Sequence, residues 1–551
     1  MRKWEKLPDD NDTHRKNSLN FHKNSIINDY DHNDLITINF TDDNIIIEDK
    51  NEINNVGNRN NDTSNSSICG ATMNFINSIV GAGIIGIPFA ISQTGFFMGI
   101  ILLILIAYLI NRSVIMLIEC GLEKQKLNLE ELCEHLLGAK GYYLALGSMM
   151  MFAYGGMIAY LVIYGDTMPF VIQTMSNSQN IIVSRESVMI ISAIFIILPL
   201  CLMKKIESLE WTSSFSVVSD IILVLILAIG APIAAKNQGI VLDMSQLVFA
   251  RSTMFAGLGT ISFAFVCQHN SFLVFRSLKD PTYRNWTHVA HGSVFISFLV
   301  CSTFGLAGFL NFLDQTKGNV LDNFSESDKA ISVARFFLAV CMILTYPMEC
   351  IVARHCLLSI LNKYYSTREN NKLCTKTRVS SSYSSKKLAN EDVGDDATSN
   401  SIVMSSLHEN CENINDNDND NDNDNDNDDT QTISDVPKDT VVSDNILESN
   451  RARILSVLFL WSSTLIIAVI ATDLSLVLSI TGCIAASCLG YTIPGLVFIK
   501  TYENDFYEII NNKTITLISF KKFGLPVFMI IFGLLSLLVG VITILFFDPN
   551  E

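Results

Sequence analysis

The sequence predicts an all-α polytopic membrane protein of eleven transmembrane helices, with the first and sixth helices broken. Composition is the first reason: of 551 residues, 49% are hydrophobic and 17% charged, and the mean hydropathy is +0.33. Run length is the second. Stretches such as "VFMIIFGLLSLLVGVITILFF" are nearly free of charge, and about 20 helical residues carry a chain across roughly 30 Å of hydrocarbon. The third reason is a defect. "NFINSIVGAGIIGIPFA", Asn74 to Ala90, is apolar enough to span, yet it holds two Asn, one Ser, three Gly and a Pro.

In chain order, residues 1–70 are rich in Asn and Asp and lack an early apolar run. A disordered cytosolic tail is expected there, with no cleavable signal peptide, so the first span doubles as the targeting signal. Spans follow at roughly 72–91, 95–118, 143–168, 186–204, 210–233, 249–275, 287–311, 330–352, 453–471, 474–499 and 523–547. The first eight fill a region at 71–360 and the last three a region at 451–551. Between them lies a polar insert, 361–450, with the tract "NDNDNDNDNDNDNDD" ending at Asp429. Such a tract buries no apolar surface and is expected to be disordered. It holds much of the net charge of −17, which therefore says little about what the membrane region binds.

Basic residues set the orientation, because short cytosolic loops accumulate Lys and Arg. With a cytosolic N-terminus those loops hold twelve, among them Lys124, Lys204, Arg276 and Lys500, against five on the far side. An odd number of spans then puts the C-terminus on the far side. None of the thirteen cysteines falls in a predicted exofacial loop, so no disulfide framework is expected. The sequon at Asn323 lies in the largest exofacial loop and is a candidate glycan site, whereas those at Asn285 and Asn512 face the cytosol.

The sixth span, "MFAGLGTISFAFVCQHNSF", shares the first span's defects, with Gly257, Gly259, Thr260 and Ser262 followed by Gln268, His269 and Asn270. Spans one and six stand five apart, an odd number, so two units of five spans are inverted relative to each other. Interrupted helices at matching positions of inverted halves point to a transporter's binding site. An unwound segment frees backbone groups that lipid cannot satisfy but a polar cargo can. Close packing of small residues is the blander reading of "GAG" taken alone. The residues that this pattern nominates for substrate are Asn74, Ser78, Gly81, Gly83, Gly257, Gly259, Thr260 and Ser262.

"NFINSIVGAGIIGIPFA" followed by "QTGF", together with "ISFAFVCQHNSFLVFRSLKDP", resembles the amino acid/auxin permease family. That family includes fungal vacuolar amino acid transporters and animal sodium-coupled neutral amino acid transporters. The similarity covers the spans, roughly 70 to 360 and 451 to 547, and neither the tail nor the insert. It implies a LeuT-type fold, five plus five inverted helices and one more, and transport of amino acids driven by protons or sodium. By position it places a coupling ion at Asn77, Val80 and Thr345, whose oxygens suit a hard cation. It implies no cofactor, and no metal beyond sodium.

Ionisable residues at depth are expensive and face the bundle interior. Asp220, near the middle of the fifth span, and His269, in the sixth, are the candidates for proton coupling or gating; a satisfied structural role is the alternative for each. Asp166 and Glu349 are read as interfacial, and Arg335 as snorkelling. Tyr154, Tyr160 and Tyr164 of the third span could cover a substrate, though packing with a satisfied hydroxyl is the more frequent role of such tyrosines.

The function these features predict is secondary active transport of amino acids, with alternating access around the two broken helices. No fixed charge is dedicated to a basic or acidic side chain, which points to neutral substrates. The alternative is an amino acid-sensing receptor that signals through its tail and insert. Neither an enzyme motif nor a channel filter is present in the sequence. The expected partners are an amino acid and the bilayer, with no nucleic acid. The resemblance implies a vacuolar or other endomembrane, with the plasma membrane as the alternative, and the loop charges put the N-terminus in the cytosol and the C-terminus in the lumen.

Overall fold

The computed structural model describes residues 66–176, 184–203, 209–241, 244–325, 328–388, 450–471, 473–511 and 517–546, and two strands within 37–48. The Asn-Asp tract, most of the tail and the Asn512 sequon lie outside these residues. Among the described residues ten helices are long and apolar enough to cross a membrane, and up to eleven spans result when one bent pair counts as a span. Span 1 is that pair, Ile68–Val80 and Gly83–Thr94. Spans 2 to 5 are Phe96–Glu123, Leu129–Ser176, Arg185–Leu202 and Ser213–Asn237. Spans 6 to 8 are Met254–Ser277, Tyr283–Gln315 and Lys329–Ser366, and spans 9 to 11 are Asn450–Ile470, Leu474–Thr501 and Lys522–Phe546.

Helix ends follow from local chemistry. Ser67 starts span 1 by accepting from the Gly70 N–H at 3.1 Å, and Thr282 starts span 7 by accepting from Asn285 N–H at 3.3 Å. Span 3 begins as a short leading helix, because Gly138 turns the chain at a φ of 66°. Beyond it, the span packs along most of the length of span 8.

Two packing groups result. Trp286 of span 7 is fully buried between Phe75 of span 1 and Phe275 of span 6, with ring centroids at 5.2 and 6.0 Å, and donates its indole N–H to the Val114 carbonyl of span 2. Spans 1, 6 and 7 are thereby held as one group. Spans 3, 8 and 9 form the other, with the Tyr346 and Thr464 hydroxyls joined at 2.7 Å. Span 6 sits deepest, 89% buried against 28% for span 11, whose Ile531, Leu534 and Leu538 face outward as lipid-facing residues do.

Several expectations need correction. The helix of span 8 continues to Leu388, past the boundary of 360 drawn for the insert. The tail contains two paired strands: Thr37–Thr41 runs antiparallel to Asn44–Glu48. Arg335 does not snorkel. It is 1% exposed, donates to the Leu321 carbonyl at 2.8 Å and lies 4.6 Å from the centre of the Phe170 ring. Nor is Asn323 free to carry a glycan, because its buried amide accepts from Lys317 N–H at 2.9 Å and donates to the Gln315 carbonyl at 2.7 Å.

Candidate functional site

Two interrupted helices, running in opposite directions across the fold, form the centre of the site. Span 1 is helical to Val80, opens at Gly81 and Ala82, and resumes at Gly83 with a bend of 49°. Gly81 adopts φ 24° and ψ −146°, a conformation that side chains disfavour. Span 6 is helical over Met254–Phe265, opens at Val266 and Cys267, and resumes over Gln268–Ser277. Gly83 brings the two together: a Cβ there would lie 2.4 Å from the Ala264 Cα. The backbones touch, and the interruptions lie side by side.

Each opening leaves N–H and C=O groups without helical partners. The trailing halves start at Ala82 and Cys267, and neither of these N-cap side chains caps its helix. Their first-turn N–H groups favour an anion, while the carbonyls ending the leading halves favour a cation. Two ends of each sign in one place match the two charges of a free amino acid.

The nominated residues of span 1 share one face. Asn74, Asn77, Ser78 and Gly81 follow helical spacing and are all half-buried, with the Asn74 Oδ1 lacking a partner. Ser78 Oγ accepts from Asn270 Nδ2 of span 6 at 2.8 Å, and Asn77 Nδ2 donates to Ser213 Oγ of span 5 at 3.4 Å. Val80 is fully buried at the end of its helix.

Span 6 divides the other way. The opening falls after Gly257, Gly259, Thr260 and Ser262, and these four are engaged in packing. A Cβ on Gly257 would lie 2.7 Å from the Ala90 carbonyl oxygen, and one on Gly259 2.6 Å from that of Ser479. Thr260 shares a hydrogen bond of 2.9 Å with Ser479, and Ser262 one of 3.0 Å with the Tyr491 hydroxyl, both on span 10. Gly482 presses still closer against the Gly259 carbonyl, beside two π-helical turns at Gly482–Ala486 and Cys488–Thr492.

Thr345 donates to its own helix, to the Cys341 carbonyl at 2.7 Å, and the Cys341 Sγ lies 3.9 Å from its oxygen. The described hydrogen bonds do not link it to Asn77, which turns to span 5. Oxygen donors of the right kind for a hard cation are present, but no bond draws them together. Among the described residues no cluster of three His, Cys, Asp or Glu could hold a metal. Asp220 is 4% exposed and lies within electrostatic reach of Tyr160, Cys301 and Cys341, on spans 3, 7 and 8.

Glu349 is the correction that matters most. Far from being interfacial, it is 8% exposed, with Oε1 at 3.7 Å from His269 Nε2. The signal was available: Glu349 stands one helical turn after Thr345, on the same face. The Tyr160 hydroxyl closes the group, 3.4 Å from where a Cβ on Gly81 would sit.

A family model described as transmembrane amino acid transporter protein matches residues 64–546. The chain belongs to that family. Over 298 residues it is 33% identical to a Mus musculus protein provisionally named sodium-coupled neutral amino acid transporter 11, covering 54% of this chain and 65% of that one. It is 35% identical over 303 residues to vacuolar amino acid transporter 2 of Saccharomyces cerevisiae, covering 54% and 63%. The chain thus spans just under two thirds of these relatives' lengths. A solved Na+-coupled sialic acid symporter aligns over 88% of this chain and 91% of its own, with a TM-score of 0.44 and 12% identity, too distant to argue from. These relatives carry the names of transporters, not enzymes, and nothing in them supports the receptor alternative. The member of the transmembrane amino acid transporter family described here is an integral membrane protein.

Proposed function

We propose that the chain is a secondary active transporter of amino acids, coupled to a proton or sodium gradient and working by alternating access around the interruptions in spans 1 and 6. The observation that carries this reading is the contact of Gly83 with Ala264, which sets two helix openings side by side. The substrate's carboxylate meets first-turn N–H groups of the trailing halves, and its ammonium meets the carbonyls ending the leading halves. Asn74, Ser78 and Gly81 line the approach from span 1. Because the site recognises charges common to all amino acids, and Glu349 already faces His269, neutral side chains fit best. Spans 1, 6 and 7 move as a group against spans 3 and 8. The fungal relative's name favours an endomembrane, and the loop charges favour a cytosolic N-terminus and a lumenal C-terminus.

The test is uptake of a mixed pool of labelled amino acids into proteoliposomes under a pH gradient, then under a sodium gradient. Gradient-driven uptake that falls at least tenfold in Asn77→Ala supports the reading. Binding of amino acids without uptake under either gradient would sink it.

A further inference from the structure

We propose that His269 and Glu349 form a proton-operated latch across the seam between the two helix groups, so that protonation of His269 decides whether span 6 is tied to span 8. The proposal rests on the transport reading above and assigns Glu349 a role beside the substrate site. His269 sits in the first turn after the opening of span 6, with its ring packed on Phe152 of span 3 at 5.0 Å between centroids. Its Nε2 faces two groups, Asn270 Nδ2 at 2.9 Å and Glu349 Oε1 at 3.7 Å. Its Nδ1 and the Glu349 Oε2 are buried and have no partner among the described residues. Buried polar atoms of this kind are paired in some state of a working protein.

The chemistry gives two arrangements. With the Asn270 amide assigned as described, its nitrogen donates one hydrogen to Ser78 Oγ of span 1 and the other to His269 Nε2. The neutral imidazole is then an acceptor at Nε2, and Glu349 has no donor within hydrogen-bond distance there. A proton added at Nε2 turns that atom into a donor. It can no longer accept from Asn270, and the acceptor facing it is Glu349 Oε1, so a contact inside span 6 becomes an ion pair between spans 6 and 8. Asn270 then keeps only its bond to Ser78 Oγ of span 1. One proton therefore closes the seam between spans 6 and 8.

The surrounding titratable groups are few. Tyr160 of span 3 and Cys356 of span 8 are within electrostatic reach of Glu349, and Asp220 of span 5 and Cys341 of span 8 lie around Tyr160. Cys267 is at the opening itself, and span 10 presents Tyr491, tied to Ser262. Span 2 meets this half-helix through Ser113 and Gly121, while its Glu119 accepts from Tyr502. Span 1 brings only Cys69, at its exposed start. Among these, Glu349 is the carboxylate that faces the His269 ring, with Oε1 at 3.7 Å from Nε2.

The experiment uses the full chain in proteoliposomes, with two readouts on Glu349→Gln, Glu349→Asp and His269→Gln. Accumulation of labelled amino acid under an acid-outside gradient should fall at least tenfold in the two glutamine variants and recover in part in Glu349→Asp. Exchange of labelled for unlabelled amino acid without a gradient should lose its dependence on pH in the same two. A Glu349→Gln variant that accumulates like the parent, or keeps the parent's pH profile of exchange, overturns the latch and leaves the transport reading standing. If the variants do not fold, the unaltered protein decides. Amino acid entering unbuffered vesicles should carry protons with it, read by a trapped pH dye, and uptake without proton movement overturns the latch. An unaltered protein that neither exchanges nor accumulates any amino acid overturns the transport reading and the latch with it.

Discussion

The openings in spans 1 and 6 lie against each other, yet they are built from different material. Span 1 opens on glycine: Gly81 takes a backbone conformation that side chains disfavour, and Gly83 touches the backbone of span 6. Span 6 opens at Val266 and Cys267, between side chains that impose no break of their own. Its glycines lie earlier, where they let span 10 and the trailing half of span 1 approach. The difference teaches that one opening is intrinsic to its residues and the other is held by its surroundings. Gln268 supplies part of that hold, accepting from the Cys267 N–H at 3.1 Å and donating to Ser113 of span 2 at 2.9 Å.

The sharpest way to break the comparison is at Gly83. Gly83→Val puts a branched side chain where a single Cβ would already be 2.4 Å from the Ala264 Cα. Overpacking that forces backbone apart costs about 3 kcal/mol or more. Thermal unfolding in detergent should show a much less stable protein with no uptake. Gly81→Ala is the matched control. Its Cβ would meet only the Tyr160 hydroxyl, at 3.4 Å, so the change acts through backbone strain and should destabilise by about 1 kcal/mol. Its uptake should fall further than its stability, because the strain sits at the opening. Equal losses in both variants would mean that span 1 opens for packing and not for cargo.

This contrast also marks what the sequence could disclose. Span 1's Gly81 acts locally, through φ, so its effect can be read from the string. The opening of span 6 depends on what Gln268, Ser113 and span 10 do in three dimensions, and no local rule places it at Val266. Pattern alone drew the eye to Gly257 and Gly259, which fit close packing as readily as a break. Glu349 was misplaced for a related reason. Distance from a predicted span end suggested water, whereas the helix of span 8 runs far past that end and carries Glu349 inside. The apolar runs were legible because hydrocarbon imposes a length on them. The seam between the helix groups was not, because it is made of pairs distant in the chain.

The next effect in size tests whether span 6's early polar residues serve packing, as their bonds indicate. Ser262→Ala leaves the Tyr491 hydroxyl without its described partner in a fully buried place, and an orphaned buried donor costs about 1–3 kcal/mol. Adding Tyr491→Phe removes the orphan, so the double variant should be more stable than Ser262→Ala alone, with substrate affinity near that of the parent. Substrate binding that collapses in the double variant while stability recovers would return Ser262 to the site and make the two openings alike after all.

The smallest effect lies away from both openings and checks that the site, and not the loop between spans 7 and 8, sets the behaviour of the molecule. Asp322, in the turn Val320–Asn323, has its carboxyl pushed up to about 7, first by burial and next by Asp166, with Arg335, Lys317 and Arg185 pulling the other way. In an unfolded chain the same group titrates near 3.9. The folded loop thus binds the proton more tightly. The stabilisation is fully present below the unfolded value and is lost as pH rises through about 7. Asp322→Asn stays uncharged throughout. Unfolding temperatures of variant and parent should coincide near pH 4 and separate by a few degrees by about pH 8, with the variant higher. Curves that stay together would mean that the loop accommodates the charged carboxylate. If they separate while the pH profile of exchange is the same in both proteins, the loop governs stability alone. An exchange profile that shifts with Asp322→Asn would instead make the loop between spans 7 and 8 a place where protons act.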